Sequence, residues 1–264
     1  MRSLLFVPGS RPDRIAKALA AGADAVCVDL EDAVAPDAKA EARSAVIEAL
    51  KAGGGFGVRV NALRTAWGCA DVAALAEAGA APDFIMIPKA DHPVEVELVG
   101  QALDHAAPLI PVIESAVGLD AASWTCAVKG VSAALFGGGD YSADLCVEME
   151  WEALFHARAT VANACAAAGV AAIDVPYLDV KDETGLASET RRVKALGYTA
   201  KACIHPAQIS TVNAVFTPSA AELDEARAVI AALDDAGGGA ALLNGKLIEA
   251  PIIRRARRVL RAAG

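Results

Sequence analysis

Leu109-Ile110-Pro111-Val112-Ile113-Glu114-Ser115 is a run of five apolar residues that ends on a carboxylate. Unbroken apolarity of that length is what a parallel strand shows when both of its faces are covered; a half-exposed strand alternates instead. Seven further runs share this character, at residues 3–8, 25–30, 57–60, 84–88, 133–136, 172–175 and 202–204. Helix-like segments separate them. Those at 12–21, 37–52, 71–78, 151–168 and 188–196 each close on a glycine, and the one at 94–106 stops ahead of Pro108. Glycine just past a helix takes the left-handed conformation without a Cβ penalty, so it marks the stop. Eight β-then-α units in one chain predict a closed (β/α)₈ barrel of the TIM type. An open doubly wound sheet fits less well, because the first turn, Pro8-Gly9-Ser10-Arg11-Pro12, lacks the G-x-G-x-x-G pattern.

Beyond the eighth run, residues 219–233 read as a helix. A loose stretch at 234–240 holds Gly237, Gly238 and Gly239, and residues 241–263 carry Arg254, Arg255, Arg257 and Arg258. The expected organisation is therefore a barrel over 1–233 and a C-terminal hinge and helical extension over 234–264. That extension either packs as a ninth helix or reaches a neighbouring subunit. The net charge of −9 argues against nucleic acid or an anionic membrane as the main partner. Apolar runs are broken well short of the ~20 residues a membrane helix needs. The N-terminus, MRSLLFVPGSRPDR, lacks the features of a secretory signal. Six scattered cysteines with no C-x-x-C pair read as reduced core thiols of a cytoplasmic protein.

Polar residues at the strand ends are the candidates for chemistry, since barrel active sites gather at the C-terminal ends of the strands. They are Asp29-Leu30-Glu31-Asp32, Arg59-Val60-Asn61, Pro88-Lys89, Glu114-Ser115, Gly137-Gly138-Gly139-Asp140 and His205-Pro206. Two carboxylates from separate strands, Glu114 and Asp140, suit a hard cation such as Mg²⁺, which prefers oxygen and is commonly held by one or two carboxylates plus waters. The four histidines lack zinc-site spacing. Arg59 is placed either to grip a substrate carboxylate through its fork or to pair with Asp29 or Glu31. Gly9-Ser10-Arg11 at the first strand end offers backbone N–H groups to a phosphate. His205, a lone histidine before a proline, reads as structural.

These segments resemble a known family. Leu4–Gly9 (LLFVPG), Asp29–Val34 (DLEDAV), Val58–Asn61, Ile87–Lys89, Ile113–Ser115, Gly137–Asp144 (GGGDYSAD) and Ile204–Pro206 stand in the order seen in the citrate lyase β-subunit-like group of the HpcH/HpaI aldolase superfamily. Gly245-Lys246 and Pro251 continue the pattern. The group includes malyl-CoA and citramalyl-CoA lyases. The resemblance implies that Glu114 and Asp140 ligate Mg²⁺, with Mn²⁺ as a substitute. It implies that Glu31 and Asp32 order metal-bound waters and that Arg59 holds the keto-acid fragment. Gly9, Arg11, Asn61, Lys89, Gly138 and Gly139 are read as lining the substrate. The implied reaction is carbon–carbon cleavage of a 3-hydroxy-3-carboxy acyl thioester to an acyl-CoA and a keto acid, in a homotrimer or hexamer. In several such lyases a C-terminal Asp from a neighbouring subunit supplies the proton; Glu249 stands at the nearest matching position here, one methylene longer. Three alternatives stay open: a citrate lyase β subunit acting on an acyl carrier protein, a thioesterase on the same scaffold, and a non-catalytic barrel that binds acyl-CoA or keto acids.

Overall fold

Eight short parallel strands form a closed ring in chain order: β1 (Ser3–Pro8), β2 (Ala25–Asp29), β3 (Gly57–Arg59), β4 (Ile85–Ile87), β5 (Leu109–Ile113), β6 (Ala133–Phe136), β7 (Ala171–Asp174) and β8 (Ala200–Cys203). Ser3 pairs with Lys201 to shut it. A computed structural model of the chain describes residues 1–79, 81–235, 241–243 and 246–262.

Helices follow the strands: α1 (Ile15–Leu19), α2 (Lys39–Lys51), α3 (Ala66–Ala78), α4 (Pro93–Ala102), α5 (Ala116–Cys126), α6 (Gly138–Asp144), α7 (Trp151–Ala168), α8 (Glu183–Leu196), α9 (Ile209–Phe216) and α10 (Ala220–Asp235). The fold is the (β/α)₈ barrel expected from the alternation of runs. Helix α5 went unassigned in the sequence because its periodicity is weak. Its local start signal is Ser115, whose hydroxyl accepts a hydrogen bond from Gly118 N at 2.9 Å. Helix α3 begins five residues earlier than its expected start, at Ala66, since Thr65 caps it in the same way. Gly68 in its first turn has no room for a side chain, with the Ala62 carbonyl against it.

Inside the ring, alternate residues of seven of the strands join one apolar cluster: Leu4, Cys27, Met86, Ile110 and Val112, Ala133 and Leu135, Ile173, Ala200 and Ala202. Large side chains such as Met86, Ile110 and Leu135 fill it together with the small Ala133, Ala200 and Ala202. The same parity continues past the apolar layer. In β5 it runs Ile110, Val112, Glu114; in β2 it runs Cys27, Asp29, Glu31. The inward series therefore turns polar where the strands end.

A second buried assembly joins the ring to its helices. Lys201 on β8 is fully buried, and its ammonium donates to Asp174 Oδ2 at 2.5 Å, Val175 O at 2.6 Å and Glu189 Oε1 at 2.8 Å. Arg158 on α7 donates from Nε to Asp174 Oδ1 at 2.9 Å and pairs with Glu189 at 3.3 Å. Two cations and two carboxylates thus tie β7 and β8 to α7 and α8.

The chain divides into two compact units, Met1–Asn213 and Ala214–Gly264. Helix α10, assigned from sequence to the barrel, groups with the C-terminal residues instead. Residues 241–263, expected as one helical piece, are an antiparallel ribbon, β9 (Ala241–Leu243) with β10 (Lys246–Ile248), followed by α11 (Ala250–Arg261). Gly245, which continues the family pattern, and the triplet Gly237–Gly239 lie outside the described residues. Within this unit Ala226, Val229, Ile248 and Ala256 form a small core. Of the cysteines, Cys27, Cys126, Cys165 and Cys203 are buried, while Cys69 and Cys146 are exposed rather than core. Among the described residues no helix is long and apolar enough to cross a membrane.

Candidate active site

The strand ends bring two polar groups together at one mouth of the barrel. The first is built on β2 and β3. Asp29 is buried, and Arg59 grips it with both arms: Nε donates to Oδ1 at 2.6 Å and Nη2 to Oδ2 at 2.7 Å. The Phe6 ring lies 5.1 Å beneath the guanidinium. This leaves Nη1 directed at Glu31 Oε2, 3.1 Å away, with Asp32 Oδ2 3.9 Å from Nη2. Asp29 also accepts from Glu31 N and Ala33 N, which shapes the acidic loop around it. Of the two readings of Arg59, the ion pair is the one seen here, and it aims the remaining edge of the guanidinium at Glu31.

Burial pushes the Glu31 carboxyl up to about 8; Arg59 opposes this, and the charges of Glu114 and Asp32 add to it. Asp32 itself is exposed.

The second group is built on β4, β5 and β6. Glu114 is buried at the end of β5 and accepts from Lys89 N at 2.6 Å. Its space exists because residue 137 is glycine. A Cβ there would lie 2.5 Å from Glu114 Cβ and 2.6 Å from Oε2. Burial raises the Glu114 pKa, with Lys89 pulling the other way.

Lys89 has left-handed backbone, φ 51°. Such a conformation costs a non-glycine residue about 1 kcal/mol or more. Arg64 Nη2 and Asp91 N hold it by donating to Lys89 O at 2.7 and 2.8 Å. The turn sends the Lys89 ammonium back over the site, 3.6 Å from Glu114 Oε1 and in contact with Asp140 in the first turn of α6.

Other expected residues have different surroundings. Gly9 N–H donates to Asp29 O at 2.7 Å and Arg11 N–H to Pro8 O at 2.9 Å, so these two N–H groups are already taken, which corrects the phosphate expectation for them. The Arg11 side chain is exposed and forks onto Asp13, two residues on. Asn61 is buried, with its amide spent on Leu30 O, Asp71 and Lys39, so it does not face the mouth. Gly138 is hemmed in by Phe136, Val175 and Leu154, whereas Gly139 has open space around it. His205 caps the turn after β8, as its context suggested. Glu249 is exposed at the start of α11 and makes no capping hydrogen bond. Asp29 was expected only as one of three carboxylates after the second run and as a partner for Arg59; Phe6 and Arg64 were not among the expected site residues, and neither carried a signal of its own.

Among the described residues no group of three or more His, Cys, Asp or Glu is gathered for a metal. A tetrahedral or thiolate centre has no donors here. The Glu114–Asp140 pair offers hard carboxylate oxygens, and the Lys89 ammonium lies against both. Such a pair fits Mg²⁺, which completes its octahedron with water and substrate oxygens.

Comparison with known proteins places the chain in a family. Residues 2–206 match the HpcH/HpaI aldolase/citrate lyase family, and residues 151–264 match a family described as a C–C bond lyase of the TIM-barrel fold. The chain is 38% identical to a (3S)-malyl-CoA thioesterase of Cereibacter sphaeroides, over 99% of this chain and 94% of that one. It is 35% identical to an L-malyl-CoA/β-methylmalyl-CoA lyase of the same species, again over 99% and 94%. Among solved structures it is similar to CitE from Mycobacterium tuberculosis in complex with magnesium, acetoacetate and coenzyme A. That match has 34% identity and a TM-score of 0.84, and covers 100% of this chain and 98% of that one. A barrel with carboxylates and a locked arginine at its mouth, matched over most of its length, belongs to the HpcH/HpaI aldolase/citrate lyase family.

Proposed function

We propose that this protein is a Mg²⁺-dependent carbon–carbon lyase that cleaves a 3-hydroxy-3-carboxy acyl thioester of the malyl- or citramalyl-CoA type. The observation that carries the reading is the meeting of the Glu114–Asp140 pair with the Arg59–Glu31 pair at one barrel mouth. Relatives named as malyl-CoA lyases, and neighbours solved with magnesium and keto acids, support it.

Glu114 and Asp140 would hold the ion, with Lys89 giving up its contact to Asp140. When bound, Mg²⁺ supplies Lewis acidity toward the substrate hydroxyl and carboxylate and makes the hydroxyl more acidic. Arg59, fixed by Asp29 and Phe6, orients the keto-acid half and balances its negative charge. Glu31, whose carboxyl burial raises to about 8 in the metal-free site, is the group placed to exchange a proton beside that half. Loss of the hydroxyl proton to the ionised Glu31 carboxylate would turn that carbon into the keto-acid carbonyl. The bond to the neighbouring carbon breaks, and its electron pair passes to the thioester enolate, which then takes a proton at carbon. Glu249, exposed and uncapped, is the proposed donor of that proton, delivered by the C-terminal unit of a neighbouring subunit in a homotrimer or hexamer.

A second reading is hydrolysis of the same thioester, supported by relatives named (3S)-malyl-CoA thioesterase at 36–38% identity. A third is citryl-thioester cleavage on an acyl carrier protein, supported by a citrate lyase subunit beta of Leuconostoc mesenteroides at 33% identity. Mass spectrometry on malyl-, methylmalyl-, citramalyl- and citryl-CoA with Mg²⁺ separates them. A keto acid with an acyl-CoA marks the lyase, and free CoA with the hydroxy acid marks the hydrolase. Asp140→Ala is expected to abolish either product; turnover unchanged in that variant overturns the metal assignment.

A further inference from the structure

Lys39, the first residue of α2, carries a buried positive charge that, among the described residues, faces no carboxylate. It is 6% exposed, and its three ammonium hydrogens meet three acceptors: Leu30 O at 3.0 Å, Glu31 O at 2.7 Å and Asn61 Oδ1 at 2.6 Å. All three are neutral, and the Trp67 ring lies 5.4 Å away. Desolvating an ammonium is expensive, and neutral oxygens return less of that cost than a carboxylate does. A helix side chain kept under those terms, at this position, is held for what it grips.

What it grips is the acidic loop. Leu30 O and Glu31 O are consecutive carbonyls of the chain between Asp29 and Asp32. Asn61 lies two residues beyond Arg59 and is itself immobilised: Asp71 Oδ2 accepts from its backbone N at 2.8 Å and from Nδ2 at 2.7 Å. Arg43, one turn along α2 from Lys39, anchors the other oxygen of Asp71 at 2.6 Å. The ends of β2 and β3 are thus tied by one ammonium, and these ends carry Glu31 and Arg59. None of the three contacts touches Glu114, Lys89 or Asp140.

We propose that Lys39 is a positioning residue: its buried ammonium clamps the Leu30–Glu31 backbone to Asn61 and so sets the Glu31–Arg59 pair that receives the keto acid. The substrate half of this rests on the lyase reading above. The clamp itself does not.

The test uses the full-length protein with Lys39→Met, which keeps length and burial but no donors, and with Lys39→Gln, which keeps two donors. Mn²⁺ binding is followed by electron paramagnetic resonance. Pyruvate binding to the Mn²⁺-loaded protein and amide hydrogen exchange over residues 29–33 are measured beside it. The expected result is unchanged Mn²⁺ affinity, pyruvate affinity lowered roughly ten- to a hundredfold in Lys39→Met, partial recovery in Lys39→Gln, and faster exchange confined to the acidic loop. Pyruvate affinity and loop exchange both at wild-type levels overturn the proposal. So does an equal loss of metal and pyruvate binding, which would mark general unfolding. If wild-type protein binds no pyruvate, the keto-acid reading fails, and loop exchange alone then decides the clamp.

Discussion

Glycine 137 shows how one absent side chain makes room for chemistry. Glu114 occupies the volume that a Cβ at 137 would claim, at 2.5–2.6 Å. Gly137→Ala is expected to push the carboxylate aside while leaving the barrel folded. Mn²⁺ affinity should fall at least about tenfold, since displacement of a ligand by an ångström is enough for such a loss; unchanged affinity would refute the steric argument. Glu31 gives a pH prediction. Its carboxyl is raised from the ordinary 4.5 to about 8, so between those values the folded, metal-free protein keeps a proton that the unfolded chain has released. Stability therefore declines as pH rises through that window. Thermal melts of metal-free protein should show this slope reduced in Glu31→Gln, and an identical slope would remove Glu31 as its source. Glu31, Arg59, Glu114 and Asp140 were legible because each ends an apolar run. Lys39 was not, because it sits among alanines at a helix start and its partners come from two other strands. Arg11 misled for a local reason: Asp13, two residues on, takes its fork.

At the level of elements, the runs at 3–8, 109–113 and 133–136 match β1, β5 and β6 residue for residue. The eighth run was read from 202, whereas β8 starts at Ala200, because Lys201 looks like a surface residue in the sequence. Its burial depends on Asp174, Glu189 and the Val175 carbonyl, none of them near it in sequence. Removing one member of such a buried cluster leaves its partner charges uncompensated, which costs roughly 3–5 kcal/mol. Lys201→Met is expected to lose that much stability in urea unfolding. A loss below about 1 kcal/mol would mean the cluster relaxes or hydrates. Helix α5 and the β9–β10 ribbon escaped the sequence reading for opposite reasons. The helix has little amphipathic signal to read. The ribbon lies in a stretch whose arginines spaced along 254–258 invite a helical reading of the whole.

For the whole molecule, the site spans residues from Phe6 to Asp140, and every strand that bears it is in place before β7 and β8 are reached. A chain ending after α8, at residue 196, would contain all the site residues named in the barrel yet lack the strand that shuts the ring. Such a chain is expected to sediment as aggregate when refolded, while the full-length protein stays in solution; a monodisperse truncated chain would contradict this. The reason lies in the pairing of Ser3 with Lys201. β1 leaves the ribosome about 200 residues ahead of its partner β8, a wait of roughly 10–40 s at typical synthesis rates. Throughout that interval Leu4, Leu5, Phe6 and Val7 present an unpaired hydrogen-bonding edge of the kind that other chains recruit. The seam that completes the barrel is thus also the point at which a nascent chain most needs a chaperone.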